Sequence, residues 1–213
     1  PQQYDAWYRT PRGAWIGDVE YRLLVDLLQP RAGETLLDVG CGTGWFTRRF
    51  AREAGMQATG LDPDDDWLAY AQAQARPGER FVQGRAERLP FPDRSVDCTT
   101  CITALCFVAG QEQALREMLR VTRRRIVLGL LNRASLLWLR EGRAGGRGGY
   151  RGAHWHTARE VRRLFRALPA DDLRLRSAVF LPGGGRFARW VERRIPRTWL
   201  GGGFLAVSAD VRR

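Results

Sequence analysis

The order of sequence patterns predicts an α/β fold. The expectation is a single doubly wound, Rossmann-like domain with a mostly parallel seven-strand sheet and an antiparallel strand near the C-terminus. Three observations carry it. Strand-like and helix-like segments alternate between residues 17 and 131, a buried strand runs straight into a glycine turn at residues 36–44, and two closely linked strand-like runs end the chain. Late, closely linked strands add an antiparallel edge to a sheet whose earlier strands are joined by helices.

Taken in order, residues 17–28 place Val19, Leu23, Leu24, Leu27 and Leu28 at helical spacing, and Pro30 stops the helix. Thr35–Val39 is a short apolar run ending in glycines, the pattern of a strand covered on both faces. A strand at 58–61, a helix at 64–75, strands at 80–82 and 95–102, a helix at 111–120 and the run 126–131 follow. This βαβ rhythm implies right-handed crossovers. Residues 142–152 break it with a Gly/Arg-rich loop, expected to be mobile. Thr157-Ala158-Arg159-Glu160 is a capping box ahead of the stripe Val161, Leu164, Phe165 and Leu168. Strand-like runs at 173–181 and Phe204–Val211 flank a helix-like Arg186–Arg194. There is no internal repeat.

The 213 residues suit one domain, and 44% hydrophobic with 27% charged residues excludes a disordered or fibrous chain. All 35 basic residues are Arg. Without lysine there is no Schiff-base or P-loop amine, which excludes aldolase-type, pyridoxal-phosphate and Walker-type chemistry. The net charge of +12 is uneven: residues 1–120 carry −3 and residues 121–213 carry +15. Such a half either meets an anionic partner (RNA, an anionic lipid surface or an acidic small molecule) or is a solvated face. No apolar run reaches about 18 residues, and Pro1-Gln2-Gln3-Tyr4-Asp5 is no basic segment ahead of an apolar one. The expectation is a cytoplasmic protein with no membrane span. Cys98 and Cys101 have C-x-x-C spacing, but on a strand residues three apart face opposite ways, so Cys41, Cys98, Cys101 and Cys106 read as structural thiols and no metal is expected.

The sharpest signal is Asp38-Val39-Gly40-Cys41-Gly42-Thr43-Gly44. It lies at the carboxyl end of the first strand, where doubly wound sheets bind ligands. Dinucleotide turns read G-x-G-x-x-G, whereas this one reads G-x-G-x-G after an acid. Asp38 would repel a pyrophosphate but accept a hydrogen bond from an ammonium group. Eighteen residues past Gly44 comes Asp62, ending the next strand, where an acid can take both hydroxyls of a ribose. Together they point to a nucleoside with a cationic tail.

With these residues in place the chain resembles the class I S-adenosylmethionine-dependent methyltransferases, in the methyltransferase type 11, ubiquinone-biosynthesis-like branch. The resemblance runs from Tyr4-Asp5-Ala6-Trp7-Tyr8-Arg9-Thr10-Pro11-Arg12-Gly13 through 38–44, Leu61-Asp62-Pro63 and Leu89-Pro90-Phe91-Pro92-Asp93-Arg94-Ser95-Val96-Asp97. It implies that Asp38, Gly40, Cys41, Gly42 and Gly44 wrap the methionine part of S-adenosyl-L-methionine and that Asp62 holds the ribose. Pro63 and Trp67 would pack near the adenine, and Cys101 and Ile102 would line the methionine side. In Gly84-Arg85-Ala86-Glu87 the family usually has an acid where this chain has Arg85. Arg85 accepts no hydrogen bond, so either Glu87 substitutes or the Ala86 amide and packing hold the adenine.

Methyl transfer from a sulfonium is an in-line displacement, so the protein supplies orientation and a dry site, and a base only if the acceptor must lose a proton. His154 and His156, the only histidines, are candidate bases after the fifth strand, and both can equally be packed residues; Tyr8 is a further candidate. Trp7, Tyr8 and Trp15 look like a lid, and with His154 are the candidate acceptor contacts. The expected layout is an N-terminal lid and helix (1–30), a cofactor-binding core (31–131), an Arg/Gly-rich acceptor-side loop (132–156) and C-terminal helices and strands (157–213). The expected activity is methyl transfer to a small molecule, which can be anionic. RNA or another anionic polymer as acceptor, and a non-catalytic cofactor-binding chain, are the alternatives.

Overall fold

The computed structural model describes residues 1–212. Seven strands form one sheet in the order β3-β2-β1-β4-β5-β7-β6. They are β1 (Thr35–Val39), β2 (Gln57–Asp62), β3 (Arg80–Gln83), β4 (Val96–Ile102), β5 (Thr122–Leu131), β6 (Ala170–Ala178) and β7 (Phe204–Val211). β1 pairs in parallel with β2 and β4, and β4 with β5; β7 pairs antiparallel with both β5 and β6. One strand therefore opposes the other six, and it enters between β5 and β6.

The helices are α1 (Gln2–Trp7), α2 (Pro11–Leu28), α3 (Trp45–Ala54), α4 (Asp65–Ala73), α5 (Gln111–Val121), α6 (Ala158–Phe165) and α7 (Arg186–Arg194). Leu23, Leu24 and Leu28 of α2 and Phe50 of α3 are fully buried with Leu36 and Cys98 on one face of the sheet. Leu115 and Met118 of α5 and Val161 and Phe165 of α6 are buried with Leu37, Val39 and Cys101 on the other. Leu36 and Leu37 thus go to opposite faces, as strand geometry requires, and so do Cys98 and Cys101. All four cysteines are free thiols.

Local chemistry sets the helix ends. Thr10 caps α2 by accepting from the Gly13 amide at 3.0 Å, and Pro11 occupies the first turn, where its missing N–H is no loss. Thr157 and Glu160 form the expected capping box of α6. The N-terminal segment is a helix, α1, that periodicity did not show. Segment 142–152, expected to be a mobile loop, holds short helical turns: Trp138–Gly142 ends in it, and Arg143–Gly145 and Gly148–Tyr150 follow, with the Gly152 amide donating to Gly145 O at 2.9 Å. Among the described residues no helix is long and apolar enough to cross a membrane.

Candidate functional site

β1 delivers its chain to the glycine turn at the carboxyl edge of the sheet. Gly40 has φ +72°, and a side chain there would meet the Cβ of Ala104 at 2.2 Å. Gly44 has φ +73°, and a Cβ would sit 2.6 Å from the Phe81 ring. Both positions need glycine on two counts, backbone and space. The Gly40 and Cys41 amides donate to Leu61 O at 2.7 and 3.0 Å, which locks the turn onto β2.

Two acids flank the turn. Asp38 is buried and accepts from the Thr47 hydroxyl at 2.6 Å and from the Thr100 hydroxyl at 2.9 Å. Burial outweighs these bonds and pushes its carboxyl up to about 6. Asp62, at the end of β2, accepts from the Gly42 amide at 2.8 Å and from the Asp64 amide at 3.1 Å. Its pKa is raised, chiefly by burial. Each oxygen of both acids keeps acceptor capacity.

Trp67 lies in the first turn of α4, held there by Asp64, whose side chain accepts the Asp66 and Trp67 amides. A Cβ on Gly42 would stand 3.1 Å from its ring, so Trp67 walls the turn. From Trp67 an aromatic chain crosses the site: Tyr4 meets Trp67 edge-on at 5.2 Å and Tyr8 at 5.6 Å, and Tyr8 stacks on Trp45 at 4.1 Å. The Tyr4 and Tyr8 hydroxyls are 3.3 Å apart. A buried pair holds this lid down, with Arg48 donating to Asp5 at 3.1 Å and also to Thr43 O. Burial lowers the Arg48 pKa and raises that of Tyr8.

The sequence-predicted residues divide. Asp38, Gly40, Cys41, Gly42, Gly44, Asp62, Pro63 and Trp67 gather around the turn, Trp7 contacts Tyr8 edge-on at 4.9 Å, and buried Ile102 ends β4. Cys101 is buried on the α5 face. Trp15 is reached by the Arg189 guanidinium at 5.7 Å, on the side of α7. Arg85 is exposed and pairs loosely with Glu87 at 3.7 Å, while Ala86 is buried beside them. His156 lies in the core, with Nε2 3.0 Å from Gln111 Oε1 and Nδ1 3.9 Å from Cys106 Sγ. Burial pulls it down to about 4, so it is a packed neutral imidazole. His154 is exposed on the rim of a groove of about 580 Å³ lined by Cys106, Phe107, Gln111 and Leu164. Among the described residues no cluster of His, Cys, Asp and Glu could hold a metal ion.

Three residues at the site were not among the candidates read from the sequence. Tyr4 bridges Trp67 and Tyr8, a role that only the docking of α1 creates. Thr103, just past β4, has φ +53°, which is uncommon for a β-branched residue and marks a strained corner beside Ala104 and Gly40. Glu20 is half-buried on α2, one turn after Gly17, whose missing side chain leaves room for the Tyr8 and Trp45 rings. It forms no ion pair among the described residues, and burial pushes it up to about 8. Burial is the main cause that raises the pKa of Tyr8 and Tyr150, and the charge of Glu20 adds to it at each.

The family model described as a methyltransferase domain matches residues 37–128. An uncharacterised protein of Mycobacterium tuberculosis (H37Rv) is 33% identical over 97% of this chain and 70% of its own length. The malonyl-[acyl-carrier protein] O-methyltransferase of Pectobacterium atrosepticum is 38% identical over 47% of this chain, and the match spans only 39% of that enzyme. Among solved structures, a possible histamine N-methyltransferase of Thermotoga maritima superposes with a TM-score of 0.78 at 22% identity, covering 99% of this chain and 96% of that one, and shows a shared fold. The match to the M. tuberculosis protein along most of both chains, the family model on the glycine turn and the strand order agree: the chain belongs to the class I S-adenosylmethionine-dependent methyltransferases, in the type 11 branch.

Proposed function

We propose that this methyltransferase acts on a small-molecule acceptor held beneath α1, at the carboxyl ends of β1 and β4. One observation carries the reading. The lid of Tyr4, Tyr8 and Trp7 is fastened over the glycine turn by Asp5 and Arg48, which favours an enclosed site for a small molecule over an open track for a polymer.

The residues present fit S-adenosyl-L-methionine. The Thr43 hydroxyl is buried in the turn without a hydrogen-bond partner, and the space over Gly42 faces the Trp67 ring. In this reading Gly40, Cys41, Gly42 and Gly44 accommodate the methionine part and Asp38 receives its ammonium group. Asp62 takes the ribose hydroxyls, and Pro63, Trp67 and Ala86 border the adenine. Arg85, turned to solvent, leaves the adenine edge to the Ala86 amide or to Glu87. Cys101 and Ile102 back the methionine side. When bound, the cofactor supplies a methyl group on a cationic sulfur, an electrophile that needs no further activation. The chain's task is to exclude water and align the acceptor, which falls to Tyr4, Tyr8 and Trp7. Glu20 is the group we assign to hold the acceptor's proton, because it is a carboxylate with no ion-pair partner among the described residues whose charge is felt at both Tyr4 and Tyr8. We further assign residues 1–30 to the lid, 31–131 to the cofactor-holding core, 132–156 to the acceptor side and 157–213 to the supporting edge of the sheet.

Calorimetry and an acceptor screen test this. S-adenosylhomocysteine should bind more tightly than NAD, and Asp62→Ala should weaken it by about 1.5–3 kcal/mol, the range for a charged hydrogen bond. Release of S-adenosylhomocysteine should depend on a small molecule. If RNA supports it instead, and Arg143→Ala, Arg147→Ala and Arg151→Ala together abolish salt-sensitive RNA binding, the polymer reading replaces ours.

A further inference from the structure

Helix α7 leaves one face unused by the fold. At about 100° per residue, Arg186, Phe187, Trp190, Arg193 and Arg194 fall within an arc of about 120°, and all five are exposed. Phe187 is 69% exposed and Trp190 53%, so two large rings stand in water amid guanidinium groups. The other side of the helix is engaged. Ala188 is buried, the Glu192 carboxylate accepts the Phe180 amide at 3.0 Å, and Arg189 donates to Gly184 O at 3.0 Å and Pro11 O at 3.1 Å. Arg197 nearby pairs with Asp26 at 3.2 Å, whereas among the described residues Arg186, Arg193 and Arg194 pair with no carboxylate.

We propose that this face of α7 docks the protein on an anionic lipid bilayer, with Phe187 and Trp190 among the headgroups and the three arginines against lipid phosphates. Aromatic rings beside basic groups are what an interfacial helix presents: the rings leave water and the cations meet the negative surface. The charge of +15 on residues 121–213 supplies the long-range attraction. RNA is the other anionic partner such a surface could meet. Phe187 and Trp190, however, stack on each other at 5.9 Å and 16°, with Arg194 5.4 Å from the Trp190 ring. Near-parallel rings this close make one joined apolar patch, which suits a headgroup layer better than the separate stacking platforms that single-strand binding uses.

The opposite side of α7 is tied to the start of α2. Arg12 donates to Pro182 O at 2.8 Å, and Arg189 reaches both Pro11 O and the Trp15 ring. The helix that would dock on the bilayer thus packs through its other side on the start of α2, which keeps the lid helix near the membrane without placing it in contact. The proposal concerns the surface and stands independently of which acceptor is methylated.

The test is co-sedimentation of the full chain with vesicles of phosphatidylcholine alone and with one-third phosphatidylglycerol, at low and high salt. Binding is expected on the anionic vesicles only, and is expected to fade with salt. The Phe187→Ser/Trp190→Ser variant should weaken it at least about tenfold, and Arg186→Gln/Arg193→Gln/Arg194→Gln by about two orders of magnitude. An equal charge removal on α6 (Arg159→Gln/Arg162→Gln/Arg163→Gln) should stay within a factor of about two. All these positions are exposed, and an unchanged thermal midpoint checks the folds. No binding to anionic vesicles, equal losses from the α6 variant, or binding of single-stranded RNA but not vesicles through the same residues would each overturn the proposal.

Discussion

Asp5 and Arg48 form an ion pair of 3.1 Å between α1 and α3, with each side chain about nine-tenths withdrawn from solvent. Because Arg48 also donates to Thr43 O, the pair joins the lid to the glycine turn in a single hydrogen-bonded unit. Removing one partner leaves a buried charge. Asp5→Ala should lower the unfolding free energy by about 3 kcal/mol, measured by urea denaturation. It should also weaken binding of S-adenosylhomocysteine, since an unfastened α1 no longer brings Tyr4 to Trp67. An unchanged denaturation midpoint would show that the pair does not hold the lid.

The space at Gly40 gives a prediction with its own rescue. Gly40→Ala should destabilise by about 3 kcal/mol through overpacking and a left-handed backbone. Ala104→Gly removes the Cβ that stands 2.2 Å away, so the double variant should regain most of the lost thermal midpoint. The remainder measures the backbone strain alone.

His156 links stability to pH. Its folded pKa of about 4 lies below the ordinary 6.5, so between those values the unfolded chain binds the extra proton. Stability from this group is complete above pH 6.5, and on the order of 3 kcal/mol is lost as pH falls to about 4. Asp38 acts the other way, because its raised pKa favours the folded state at low pH. Denaturation of wild type and His156→Gln across that window separates the two: the difference in slope belongs to the imidazole. Parallel profiles would contradict its burial as a neutral ring.

Glu20 sets the expected pH profile of turnover. A carboxyl at about 8 must lose its proton before it can take one, so the rate should climb through pH 8. Glu20→Gln should lose that limb and at least about tenfold in kcat, while leaving S-adenosylhomocysteine affinity near wild type. A variant that keeps the limb moves the proton elsewhere.

Much of this architecture was legible in the chain. Leu36, Leu37 and Val39 mark β1 because both faces are covered, and the glycines mark the turn because backbone geometry and packing both exclude a Cβ. Asp62 follows at the end of β2, as the spacing implied. The lid was legible only as aromatic content. α1 is a single short stretch with no apolar period, and Tyr4, Asp5 and Glu20 matter through partners distant in sequence. The histidines were ambiguous for a like reason: one residue separates them, yet His154 faces solvent and His156 faces Gln111 and Cys106. The start of β6 at Ala170 was missed because Asp171 and Asp172 break its apolar pattern; Asp171 is secured there by Arg212 at 2.7 Å.

The sheet parts Cys98 from Cys101, and that separation governs how the protein meets an oxidant. Burial pushes the Cys98 and Cys106 thiols up to about 12 and about 11, and raises Cys41 and Cys101 as well. Peroxide and disulfide reagents attack the thiolate, which is scarce at all four sites. With a β-sheet between the C-x-x-C pair, neither cysteine can resolve a sulfenate formed on the other. The chain should pass between reducing and oxidising surroundings with its lid, its turn and its chemistry unaltered.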